Sequence, residues 1–138
     1  MSVMPSGEDR LADVAVAWNA AATPWDPVAL ASLYAPDAML FGGRPGHSVG
    51  EGGILEYFGS YEGVILSASV TLFDQHIVRT GETSLLAQGF CTFAFDLAGN
   101  RRTRSQLRTT WLLDWSTGTP RIRAHHFSPV PEAPPLGD

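Results

Sequence analysis

The chain carries two hydrophobic rhythms, one helical up to about Tyr61 and one of period two beyond it. Leu11, Val14 and Trp18 fall at i, i+3 and i+7, which marks one buried helical face. Ser6, three residues before Asp9, supplies the start signal: its hydroxyl can accept from first-turn amides, and an early acid suits the helix dipole. This predicts a helix to about Ala22, with residues 1–5 frayed. Asp26-Pro27 is a second start, an N-cap acid followed by proline at the first helical position. Val28, Leu30, Leu33 and Tyr34 then give a short helix, stopped before Pro36. Ala38–Phe41 reads as a short strand and Gly42–Gly46 as a turn-rich link. Ser48 and Glu51 form another capping-box pattern. It predicts a third helix through Ile54, Leu55, Tyr57 and Phe58 to about Tyr61. Gly50, Gly52 and Gly53 weaken its first half, each by about 1 kcal/mol relative to alanine.

From Val64 the alternation predicts four strands: Val64–Val78, Thr83–Asp96, Arg102–Trp115 and Arg121–Ser128. Arg79–Glu82, Leu97–Asn100 and Ser116–Pro120 separate them as hairpin-type turns. Three helices followed by a long meander imply an α+β fold, with the helices on one face of a curved antiparallel sheet. Residues 1–130 read as a single domain. Residues 131–138 are a proline-rich tail with little to pack, expected to be mobile.

Composition narrows the function classes. The net charge is −5, and the nine cationic residues are all arginines. Their one cluster is Arg101–Arg104 with Arg108, too little for a nucleic-acid partner. No apolar run approaches the roughly 18 residues of a membrane span. The N-terminus lacks the cationic and apolar regions of a signal peptide, so the expected compartment is cytoplasmic. The single cysteine, Cys91, excludes an intrachain disulfide and a zinc framework, and its place between Phe90 and Phe93 is that of a small buried hydrophobe. No cofactor or metal motif is present. The adjacent His125 and His126 would point to opposite faces of a strand, and the glycines at 42–53 do not follow a strand as a nucleotide fingerprint requires.

Three segments carry a resemblance. WNAAATPWDPVALASLYAPDAMLF, GHSVGEGGILEYF and LRTTWLLDWSTGTPRIRAHHFS occur in the order and spacing of the nuclear transport factor 2-like superfamily. The chain most resembles its SnoaL-like branch and the association domain of calcium/calmodulin-dependent kinase II, over about residues 10–130. The resemblance implies a cone, in which a strongly bent sheet wraps around three N-terminal helices and leaves a pocket at the mouth. It also implies pairing of two copies through the outer sheet face. The superfamily hosts isomerases, dehydratases, cyclases, binding proteins and assembly domains, so the fold alone fixes no activity.

Strict alternation on the last strand places Ile122, Ala124, His126 and Ser128 on one face, and Arg121, Arg123, His125 and Phe127 on the other. The first set is small and apolar and is read as the concave side. His126 then becomes the pocket histidine, a general base or a ligand hydrogen-bonder, because imidazole titrates near neutrality. Tyr57 would place a hydroxyl beside it. Trp18, Tyr34, Phe41, Phe58 and Trp111 are candidates for an apolar lining, with plain core packing as the alternative for each. Arg108 could hold a carboxylate or phosphate in bidentate fashion, or stand on the outer face paired to an acid. Asp37 in its turn and Asp26 as an N-cap read as structural; His47 reads as an exposed loop histidine, with gating of the pocket as the alternative, and His76, mid-strand, as pairing near Asp74 or sitting at an interface. The expected function is the binding of a small, partly apolar, anion-bearing molecule. The alternative is an isomerase, dehydratase or cyclase with His126 as base. Leu86, Phe90, Leu112 and Phe127 on the outer face predict a homodimer.

Overall fold

A computed structural model describes residues 6–137; the expectation that residues 1–5 fray lies outside it, as does the last tail residue. Helix α1 spans Gly7–Ala21, and its capping box is formed as expected, with Ser6 and Asp9 each accepting the other's backbone N–H. Leu11, Val14 and Trp18 are its buried face. Helix α2 is only Pro27–Ala31, capped by Asp26, and Val28 on it faces water. Tyr34 already belongs to strand β1, Tyr34–Phe41. Ser48 does not cap the third helix. Ser48–Val49 is a two-residue strand, β2, that pairs with Met39 and Leu40. Helix α3, Gly50–Gly59, is therefore opened by Val49 without a side-chain cap, and Gly50 takes the turn between strand and helix at φ 76°.

Four long strands follow: β3 Ile65–Gly81, β4 Ser84–Leu97, β5 Arg101–Asp114 and β6 Arg121–Pro129. The order across the open sheet is β2-β1-β6-β5-β4-β3. All neighbours are antiparallel except β1 and β6, which run parallel. The sheet is a cone of the expected kind, with α1 packed on β3 and α3 on β1. Residues 130–137 are exposed and carry no helix or strand. No helix among the described residues is long and apolar enough to cross a membrane.

One irregularity decides which side chains enter the core. Between Leu113↔Ile122 and Leu112↔Ala124, β6 holds one residue more than β5, a β-bulge at Arg123. The bulge shifts the alternation. Ile122, His125 and Phe127 turn inward; Arg123 and His126 turn out. The sequence assignment of faces thus holds through Arg123 and is reversed from Ala124 on. β1 makes a matching irregularity between Tyr34 and Met39, and Asp37 within it holds Arg123 at 2.7 Å. Asp37 is structural, through this exposed ion pair rather than through turn amides. Such surface pairs contribute little, typically under about 1 kcal/mol, so the bulge is held mainly by what it buries.

What it buries is His125. Its ring packs 4.4 Å from the Trp111 ring and 4.9 Å from that of Phe127. Tyr34 Oη lies 2.7 Å from His125 Nδ1 and accepts the Trp18 indole N–H at 3.3 Å. The indole can only donate to Tyr34 Oη, and the arrangement that leaves fewest groups unmet has the phenol donating to Nδ1 and the histidine protonated on Nε2, which has no partner among the described residues. Burial depresses the His125 pKa to about 3, helped by the charge of His126, and raises that of Tyr34. One chain of hydrogen bonds thus ties α1, β1 and β6 in a dry interior. Cys91 lies in the same interior as a small hydrophobe, its thiol pushed up to about 11 by burial.

Two stability tests follow from this packing. Trp18 is 2% exposed and touches Trp25, Phe58 and Phe93 edge-on. Trp18→Ala is expected to cost about 3–5 kcal/mol in denaturant melts; a loss below about 1 kcal/mol would mean the helix face packs elsewhere. His125 stays neutral when folded but takes a proton when unfolded, so the unfolded state binds more protons between pH 6.5 and about 3. Stability must fall as pH drops through that window, by on the order of 3 kcal/mol at pH 4 from this residue alone. The check is ring NMR: His125 should keep a neutral imidazole down to pH 4 in the folded protein.

Candidate functional site

The core is left unfilled at one end. Trp18 of α1, Trp25 of the α1–α2 link, Tyr57 and Phe58 of α3, and Tyr61 beyond it form one wall of a cavity of about 230 Å³. The inward faces of β4, β5 and β6 form the other, through Phe93, Phe95, Ser105, Leu107 and Phe127. The aromatic rings meet mostly edge to face, with centroids 5.1–6.5 Å apart, as ring quadrupoles favour. Trp25 is fixed by its indole N–H, which donates to the Phe58 carbonyl at 3.1 Å.

The Gly42-Gly43 corner closes the rim. A Cβ at Gly42 would collide with the Tyr57 hydroxyl and the Phe127 ring, so only glycine lets the loop pass this close. The Gly43 N–H donates to Tyr57 Oη at 3.0 Å. Burial raises the Tyr57 pKa well above the usual phenol value, an effect the Gly43 hydrogen bond only partly offsets. Arg44 then anchors the loop, donating from Nε to Ser60 Oγ at 3.1 Å and from Nη2 to the Ser60 carbonyl at 2.9 Å. Its guanidinium lies 4.2 Å above the Tyr61 ring.

Of the residues singled out in the sequence, Trp18, Tyr57 and Phe58 line this cavity. The others do not. His126 stands on the outer face, its ring 5.4 Å from Phe41, because the β6 bulge turned it outward. Phe41 is also outward and exposed, stacked on His47 at 4.2 Å, since Leu40 beside it takes the inward position. Arg108 is exposed on the same outer face, paired across the sheet with Phe90 and Ser128. Its register follows from Thr109, whose 2% exposure makes it the inward neighbour. Trp111 lies in closed core, its indole N–H donating to Thr109 Oγ1 at 2.7 Å, and does not reach the cavity.

His126 and Arg108 do come together, with Asp74, Gln88, Phe90, Thr110 and Ser128, around an outer trough of about 470 Å³. The trough is open to solvent, whereas the aromatic cavity is walled on both sides, and ligand sites are characteristically concave and apolar. Among the described residues no group of three or more His, Cys, Asp or Glu side chains is placed to hold a metal.

Several lining residues escaped the sequence reading. Phe93 and Phe95 alternate on β4 with buried Cys91 and could have been found by that spacing. Phe127 could not, because it shares the phase shift of His125. Trp25, directly before an N-cap acid, sits where an apolar residue often packs back on its helix.

No protein-family model matches the chain, and no curated protein matches it in sequence. Solved structures do match in shape. A candidate calcium/calmodulin-dependent protein kinase II association domain from Xanthomonas campestris superposes with a TM-score of 0.83 over 96% of this chain and 95% of that one, at 23% identity. A candidate dehydratase of the nuclear transport factor 2-like family from Streptomyces avermitilis superposes at 0.74, over 90% and 97%, at 16% identity. A nuclear transport factor 2-like superfamily protein from Salmonella enterica gives 0.72, over 93% and 94%, at 17% identity. Helices and sheet coincide over nearly the whole of each chain while the residues have diverged, and the protein thus has the nuclear transport factor 2-like fold.

Proposed function

We propose that this protein binds a small aromatic molecule in the cavity between α1, α3 and the concave sheet. The observation that carries this reading is the lining itself: eight aromatic side chains around about 230 Å³, with no carboxylate, histidine, lysine or arginine among them. Burying a flat apolar ring against such walls gains about 25 cal/mol per Å² removed from water. The volume lies below the usual range for drug-sized ligands, about 300–1,000 Å³, and suits a molecule of one ring or two. Proton-transfer chemistry with His126 as base is not supported by this geometry, since that imidazole is on the opposite face of the sheet from the cavity. Arg108 likewise cannot serve as an anion anchor inside it.

The outer sheet face supports a second copy of the chain as partner. One row of neighbours crosses five strands as Val78, Leu86, Leu112, Ala124 and Met39, with no polar side chain in it. Val78, Leu86 and Met39 are 48%, 37% and 47% exposed. Monomers seldom leave so continuous an apolar strip in water. Phe127, expected in this patch, is not part of it.

The cavity is tested by NMR titration with α-methylstyrene. The indole N–H signals of Trp18 and Trp25 should shift, and those of Trp111 and Trp115 should not. Ser105→Trp, at the partly open mouth, should weaken binding at least about tenfold while the melting temperature holds; shifts confined to Trp111 or Trp115 would locate the site elsewhere. For the outer face, light scattering should give twice the chain mass at micromolar concentration and Leu86→Glu should give the single mass. A monomeric wild type across that range would defeat the dimer.

A further inference from the structure

The hydrogen-bond accounting at the cavity rim says more about the ligand. A phenol has one proton to donate and an oxygen that accepts. Tyr57 Oη already accepts the Gly43 N–H, so its position is fixed and its proton remains to be placed. The Tyr61 hydroxyl stands beside it; both hydroxyls abut the Gly43 backbone, and the two rings are 5.5 Å apart. Tyr61 is held from outside by the Arg44 guanidinium over its ring. Whichever of the two hydroxyls turns toward the other, one O–H is left over, with no acceptor among the described residues, at the edge of an apolar cavity that both residues line.

We propose that this surplus proton recognises a neutral acceptor, so that the ligand is a small aromatic ketone or ester whose carbonyl oxygen meets the Tyr57–Tyr61 pair. The inference rests on the reading of the cavity as an aromatic-ligand site and narrows it. Without a ligand that proton is left to water at the partly open rim; a carbonyl seated in the cavity accepts it as the water is expelled. A carboxylate fits less well: no cation lines the cavity, and an ion stripped of water there has nothing to balance its lost hydration. Burial keeps Tyr57 protonated, so it remains a donor through the physiological range.

Three probes of one ring separate these possibilities. Acetophenone and α-methylstyrene have nearly the same shape and differ by C=O against C=CH2; benzoate adds the charge. Calorimetry and the Trp18 and Trp25 indole signals report binding. Acetophenone should bind about three- to tenfold tighter than α-methylstyrene, the factor of one net hydrogen bond, and benzoate should bind least. In Tyr57→Phe/Tyr61→Phe the acetophenone advantage should vanish while α-methylstyrene affinity stays. Tyr61→Phe alone, at a partly exposed position, should reduce the advantage in the same direction and serves if the double variant loses its fold. Equal binding of the two neutral probes to the wild type overturns the inference but leaves the aromatic site standing. So does an advantage that survives both substitutions, or benzoate as the tightest probe. If neither neutral probe moves the indoles, the aromatic site itself falls, and the inference with it.

Discussion

The single extra residue in β6 is the constraint on which the arrangement depends. A strand paired on both sides cannot change phase without cost, because every later side chain changes face with it. Here the phase changes at Arg123, between β1 and β5, and both neighbours accommodate it. Arg123 goes to the surface and His125 goes in. His125 then completes the hydrogen-bonded chain with Tyr34 and Trp18 that links β6 to β1 and α1. The inward turn of Phe127, two residues on, closes one side of the cavity. A regular strand with this sequence would bury His126 and expose Phe127, and the cavity would lose a wall.

That chain also separates interior from exterior electrostatically. The interior histidine is held neutral and the interior tyrosine protonated by the same absence of water. No arginine lines the cavity: Arg44 stands at its rim and Arg108 on the outer sheet face. The cavity is therefore a continuation of the hydrophobic core that was not filled, finished at the rim by two phenols and a pair of glycines. Its chemistry is shape, ring packing and one spare proton.

The solved structures of similar shape carry names as different as an assembly domain and a dehydratase. This is expected of a fold whose scaffold is set by helix caps and strand pairing while its pocket is set by a dozen side chains. In this chain the caps and long strands belong to the scaffold, and the aromatic lining belongs to the cavity.

The sequence alone determined the elements that rest on local rules. The Ser6–Asp9 box and the Asp26-Pro27 start appear where they were read, and the four long strands lie within a few residues of their expected bounds. Helical spacing also placed Trp18, Tyr57 and Phe58 on the cavity wall. Tertiary structure decided the rest. Ser48 gave up its cap because β1 needed a partner at its edge. Arg108 took the outer face by register with β4, and Phe41 took it by register with β6. His125 and His126 exchanged their expected places because alternation holds only while two strands keep equal numbers of residues. A bulge is a mismatch between strands, stabilised by what lies on both sides of it, and no spacing within β6 itself records it.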